Sequence, residues 1–266
     1  MKSSAKKIEL AGYDELFRTG GEAETGGEQV REIPLAELFP FKDHPFQMRE
    51  DEEMERMAEH GVLVPGIVRP RKEGGYEIIA GHRRKRGCEL AGREMMRAIV
   101  RDLDDDEATI IMVDSNLQRE KILPSEKAFA YRMKLEALKH QGRRRDLTSA
   151  PAVQKLTTRD RIAQDAGEKS GMAVARYISL TKLIPPLLAM VDEEKLSLTS
   201  AADYVSDLPE SEQAGLVAVM DKLDVIPGRS QFAKIKESSK ARTLDAAAIE
   251  TILSAERPAA VQVVLK

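Results

Sequence analysis

The chain holds a single cysteine, Cys88, and no tryptophan in 266 residues. One cysteine forbids an internal disulfide, and four scattered histidines without cysteine partners offer no spacing suited to a structural zinc. Aromatic residues amount to 4%, which weighs against the stacking platforms on which single-strand binders lay successive bases. Long apolar runs are missing as well. Nothing approaches the roughly 18 residues that a membrane helix needs. The start, Met1-Lys2-Ser3-Ser4-Ala5-Lys6-Lys7, lacks the apolar stretch of a signal peptide, so the expectation is a cytoplasmic protein. A strong excess of one charge is also absent. The net charge of −3 argues against coating nucleic acid by bulk attraction and leaves room for a local basic face.

What is present is 42% hydrophobic and 33% charged residues, enough for two small globular domains plus tails. Residues 1–31 combine Gly20-Gly21 and Gly26-Gly27 with few apolar side chains, which predicts a flexible tail. Its one apolar spot, Tyr13-Asp14-Glu15-Leu16-Phe17, reads either as a docking motif or as plain tail. Residues 32–122 carry short strand signals near 31–35, 61–70, 76–80 and 97–101, with an acidic helix near 51–59 and a helix from His82 to Ala91 closed by Gly92. The run Asp104-Asp105-Asp106-Glu107 suits the positive end of a helix dipole.

After Leu123 the pattern turns helical, interrupted at Gly142-Arg143-Arg144-Arg145 and near 147–151. The fold class expected is α+β: a small mixed α/β domain over 32–122, an all-helical domain with a helix-turn-helix over 123–210, and a helical segment over 211–266. Helices are predicted there at 212–223, 229–238 and 244–255. No fixed-period repeat points to a solenoid.

Two segments carry chemistry. In Ile78-Ile79-Ala80-Gly81-His82-Arg83-Arg84-Lys85-Arg86 a strand meets a glycine and a helix opens on cations. Cations at a helix N-terminus oppose the dipole, so an anion placed there would reverse the sign, and arginine forks match phosphate oxygens. A solvated basic helix face explains the same residues. The second segment, Asp114-Ser115-Asn116-Leu117-Gln118-Arg119, interrupts an apolar helix with polar groups, and Ser125 is placed to cap the next helix.

Further on, the stretch from Thr157-Thr158 to Gly167 reads as a capped helix ending on glycine, and Glu168 to Leu180 follows as the second helix. Ile162, Ala163, Val174 and Ile178 are spaced to pack the two across a turn, as in a helix-turn-helix. Ser170, Gly171, Met172 and Arg176 then face base edges, while Lys169, Arg159 and Arg143, Arg144 and Arg145 meet phosphates. An ordinary helical hairpin with a solvated arginine run remains the alternative.

In this order the segments resemble the ParB/RepB partition family, in which a strand with a Pro-Ile or Pro-Val step, a Gly-Glu-Arg-Arg-x-Arg-Ala motif and a Glu-Asn-x-Gln-Arg motif succeed one another. The likeness runs from about Ile33 to Pro209. Its last part is Pro185-Pro186 and Glu194-Lys195-Leu196-Ser197-Leu198, similar to the stretch behind the family's helix-turn-helix. The resemblance implies a CTP site, with Val64, Pro65 and Gly66 near the base and Gly81, Arg83, Arg84 and Arg86 on the phosphates. Asn116 and Arg119 would complete it beside Mg²⁺, with Asn116 the metal ligand.

His82 and Ser115 lie within this site where the family has glutamates, a pattern carried by mobile-element members. No catalytic residue is assigned, and weak CTP hydrolysis at most is expected. The implied role is a sliding clamp on a specific double-stranded DNA site for plasmid or chromosome segregation, nucleoid- or plasmid-associated. Its partners would be a second copy of the chain and a ParA-type ATPase met by Lys2, Lys6, Lys7 and Arg18. A repressor with a vestigial nucleotide pocket is the alternative. A third reading is an enzyme similar in fold to sulfiredoxin or ATP-dependent serine kinases, in which Cys88 lacks an activating partner. The family's terminal dimerisation domain is expected to be missing after 211–266.

Overall fold

The structure, a computed structural model, describes residues 29–48, 54, 64–119, 121–145 and 157–255, without the side chains of 142–145. The expected tail motif at 13–17 and most of the acidic helix at 51–59 lie outside these residues; Met54 alone is described there, helical and buried.

Five strands form one sheet: β1 (Val30–Pro34), β2 (Leu38–Phe39), β3 (Gly66–Pro70), β4 (Tyr76–Ala80) and β5 (Met95–Val100). Their order is β1-β5-β3-β4-β2, antiparallel at β1/β5 and β3/β4 and parallel at β5/β3 and β4/β2. Strand side chains alternate faces, so neighbours in sequence serve opposite cores. Ile78 packs with Val68, Met96, Ala98 and Cys88 on the face covered by helix α1 (His82–Leu90). Ile79 packs with Phe41, Met112 and Val113 on the other face, under helix α2 (Asp105–Leu117). Of the strand expected at 61–70, residues 61–63 lie outside the described residues and Gly66–Pro70 are strand; Pro65, with no N–H to give a ladder, precedes them.

Helix α2 begins on a reciprocal cap: Glu107 N–H donates to Asp104 at 2.9 Å and Asp104 N–H to Glu107 at 3.2 Å. Helix α3 (Pro124–Arg145) runs straight through the expected break at Gly142. One glycine costs a helix only about 1 kcal/mol, and the long-chain residues around it favour the helix. The expected cap at Ser125 is also corrected. The helix starts two residues earlier, at Pro124, and Glu126 binds the N–H groups of Leu123 (2.9 Å) and Gln47 (2.8 Å). Ser125 instead donates its N–H and hydroxyl to Asp192.

Helix α4 (Thr158–Asp165) is capped by Thr157, turns at Gly167 with φ 68°, and leads to α5 (Gly171–Ser179), capped by the Ser170 hydroxyl. Ile162, Ala163 and Val174 are buried together with Tyr131 and Leu135 of α3, and Ile178 packs against them. Beyond lie α6 (Pro185–Asp192), α7 (Leu198–Ser200, continuing as π-helical Ala201–Val205), α8 (Glu210–Leu223), α9 (Arg229–Lys240) and α10 (Ala246–Ala255). These share one core built on Leu187, Val191, Val205, Leu216, Phe232 and Ile249. Buried Gln213 accepts from Ile184 N–H and donates to the carbonyls of Lys182 and Leu208. The fold is thus a mixed α/β part followed by a helical part. Among the described residues no helix is long and apolar enough to cross a membrane.

Candidate functional site

Two glycines make the first site. Gly81 sits at φ 122°, which favours glycine, and a Cβ on it would stand 3.1 Å from the Cα of Gly66. A Cβ on Gly66 would in turn stand 3.1 Å from the carbonyl oxygen of Ala80. Backbone therefore meets backbone where β3 starts and β4 ends, and the N-cap residue of α1, Gly81, brings no side chain to its first N–H groups. Arg84, in the first turn, folds over this junction and donates to the Pro65 carbonyl at 3.2 Å. A guanidinium has five donors, so that bond still allows it to grip an anion. Val64, which precedes Pro65, is 59% exposed.

The other cations of α1 divide. Lys85 turns to β2 and donates to the Leu38 carbonyl at 2.7 Å. Arg86 pairs with Glu89 at 3.3 Å, and Arg83 is half-buried.

His82 is uncharged. Its Nε2 accepts from Phe41 N–H at 3.2 Å, and its ring lies 4.2 Å, centroid to centroid, from that of His44. Burial, followed by the neighbouring His44, Arg119 and Lys85, pushes its pKa down to about 3. His44 is likewise lowered by burial and bonds the Phe46 carbonyl through Nδ1. Arg119 closes this corner, reaching the Gln47 carbonyl at 3.5 Å with its guanidinium 5.5 Å from the Phe46 ring. Sequence reasoning missed His44, Phe41 and Glu126; Phe41 and His82 stand 41 positions apart, beyond any local period.

Asn116, 5% exposed, and Ser115 both donate to the Met112 carbonyl, at 2.8 and 2.9 Å. Met112 shares a core cluster with Ile79 of β4, so α2 lies on that face of the sheet. Among the described residues no group of three or more His, Cys, Asp or Glu could hold a metal. A magnesium ion fits only as one carried on phosphates, with the Asn116 amide oxygen as a neutral ligand.

The second site is the start of α5. Met172 is 64% exposed, and Lys169, Ser170 and Arg159 are exposed around it. Gly171, expected on the base face, is buried instead; its N–H donates to Asp160 at 3.1 Å where the two helices cross. Arg176 is held by Asp203 of α7 at 3.0 and 3.3 Å. The side chains of Arg143, Arg144 and Arg145, at the end of α3, lie outside the described set.

An α/β part with a cationic glycine turn, joined by one long helix to two capped helices that cross at a turn, defines a class of two-part proteins with an exposed helix start. The ParB N-terminal domain model matches residues 20–117. Two nucleoid occlusion proteins of Listeria monocytogenes are 32% identical over 199 residues (73% of this chain, 63% of the relative) and 30% identical over 213 residues (79% and 69%). The chain thus spans about two thirds of the length of these relatives, and less than that of the first. C-terminally truncated ParB of Caulobacter crescentus, solved in complex with the centromeric parS site, is 23% identical, with 79% of this chain and 99% of that one covered at a TM-score of 0.45. The chain belongs to the ParB family.

Proposed function

We propose that the chain is a DNA-binding partition protein that takes up CTP at the Gly66/Gly81 junction and closes on DNA as a dimeric clamp, segregating a plasmid or chromosome. The observation that carries this reading is the close glycine junction at the start of α1, with Arg84 anchored across it by the Pro65 carbonyl. Phosphates would rest on the first N–H groups of α1 and on Arg83, Arg84 and Arg86, and the exposed Val64 with Pro65 and Gly66 would meet the base. Arg119 would close the far wall, and Asn116 would hold Mg²⁺ against the phosphates. Lys169, Ser170 and Met172 would enter a major groove, with Arg159 and Arg143 to Arg145 on phosphates. Arg176 would order the reading helix through Asp203 in addition to any base it meets. A ParA-type ATPase is the partner this role requires.

Ser115 turns its hydroxyl to Met112, and no carboxylate stands at its position. That favours binding with little hydrolysis, and keeps open a repressor whose pocket is vestigial. Binding and hydrolysis of CTP, ATP and GTP, measured with and without specific DNA for the native chain and Arg84→Ala, separate the two. CTP binding lost in the variant is the expected result. No nucleotide binding by the native chain would leave the repressor, and phosphoryl transfer to a substrate would make the protein an enzyme.

A further inference from the structure

Lys134 is out of place. It sits midway along α3, on the same helical face as Tyr131 and Leu138, in a seam lined by Ile162, Ala163 and Val174. It is 1% exposed, the one buried cation among the described residues. Its ammonium donates to Asp114 of α2 at 2.7 Å and to Asp165 of α4 at 2.9 Å. Asp114 precedes the Ser115-Asn116 pair, and Asp165 ends the first helix of the helix-turn-helix. Tyr131 and Lys127 also tie α3 to the helix-turn-helix, through Glu168, but Lys134 reaches both neighbouring parts.

From this we propose that Lys134 is an interlock: a positioning residue through which the end of α2 and the end of α4 sense one another. A buried ammonium is tolerable only while its carboxylates hold it, and each pair depends on contact at hydrogen-bond length. A pull on the Asn116 end of α2 must therefore draw Asp165 with it or strand half of the charge. The two carboxylates, at 44% and 55% side-chain exposure, can hydrate when released, whereas the lysine cannot. Any ligand that moves α2 thus shifts α4, and by reciprocity DNA held by the helix-turn-helix shifts α2. Its part in nucleotide control rests on the function proposed above; the interlock itself does not.

The test uses the full chain and Lys134→Met, which fills the same seam without charge, since replacing a buried ion pair by apolar packing is often neutral or stabilising. First, without ligand, amide exchange is followed in residues 162–166 for the native chain, Asp114→Asn, Lys134→Met and the double variant. Asp114→Asn on α2 is expected to speed exchange on α4 at least about five-fold, the low end of measured couplings, and to add nothing in the Lys134→Met background. Unchanged exchange on α4, or additive effects, overturns the interlock whatever the protein binds. Second, CTP is expected to change the dissociation rate of specific DNA from the native chain and not from Lys134→Met, with CTP affinity kept. A native chain that ignores CTP refutes the function proposed above, and the ligand-free cycle still decides the interlock.

Discussion

His82 should leave a trace in the pH dependence of stability. Its folded pKa, about 3, lies below the ordinary histidine value near 6.5, so between those limits the unfolded chain binds the proton that the native state refuses. Stability is complete above about pH 6.5 and falls as the pH drops, by about 1.4 kcal/mol per unit for this one group. Thermal melts at pH 7 and pH 5 should therefore show a larger drop for the native chain than for His82→Gln, whose amide can still accept from Phe41; equal drops would mean that the histidine is not buried uncharged. Gly171 invites a second measurement. A methyl there would press on the Asp160 carboxylate and stand 3.0 Å from Asp160 N and 3.1 Å from the Arg159 carbonyl carbon, so the helices must part. Gly171→Ala is expected to cost about 1–3 kcal/mol in denaturant midpoints and to weaken specific DNA binding more than non-specific binding. Contacts of this kind are hidden from the sequence. Lys134 carries a charge that reads as solvated, and only carboxylates arriving from two other helices make its burial possible. Arg176, read as a base contact, meets Asp203 for the same reason.

At the scale of elements much more was legible, because caps and turns are local. Strand β4 stands at the bounds its pattern gave, between Gly74-Gly75 and Gly81, all three at positive φ. Helix α1 ends just before Gly92, which also has positive φ, and α4, read as a capped helix, takes its cap from Thr157. Where two local signals competed the reading failed. Ser125 is a good cap by type, but Pro124 is a better first helical residue, and the carboxylate of Glu126 reaches back to the N–H of Leu123, the residue that precedes the helix. The cap at α4 can be weighed. Thr157→Ala removes the oxygen that binds Asp160 N–H at 3.2 Å, so a loss of about 1 kcal/mol in unfolding free energy is expected, with the change in amide exchange concentrated in residues 158–162. A uniform change along both helices of the motif would instead point to a disturbed crossing.

Seen whole, the molecule has its seam in an unexpected place. The sequence suggested a helix-turn-helix domain ending near residue 210 and a separate helical segment after it, yet Leu216, Phe232 and Ile249 share one core with Leu187 and Val205. Deleting residues 210–255 should therefore take the helix-turn-helix with it: circular dichroism is expected to show loss of helicity beyond the deleted helices, and specific DNA binding should vanish. A truncated chain that melts cooperatively and binds DNA as before would show the two to be independent. Gln213 gives this arrangement an order in time. The chain leaves the ribosome N-terminal end first, so the sheet and α3 can close while α8 is still unmade. The N–H of Ile184 and the carbonyls of Lys182 and Leu208 have no such option, because the amide that satisfies all three arrives with α8. During synthesis the part that would grip nucleotide is finished first, and the part that would read DNA stays unfinished until one glutamine has emerged.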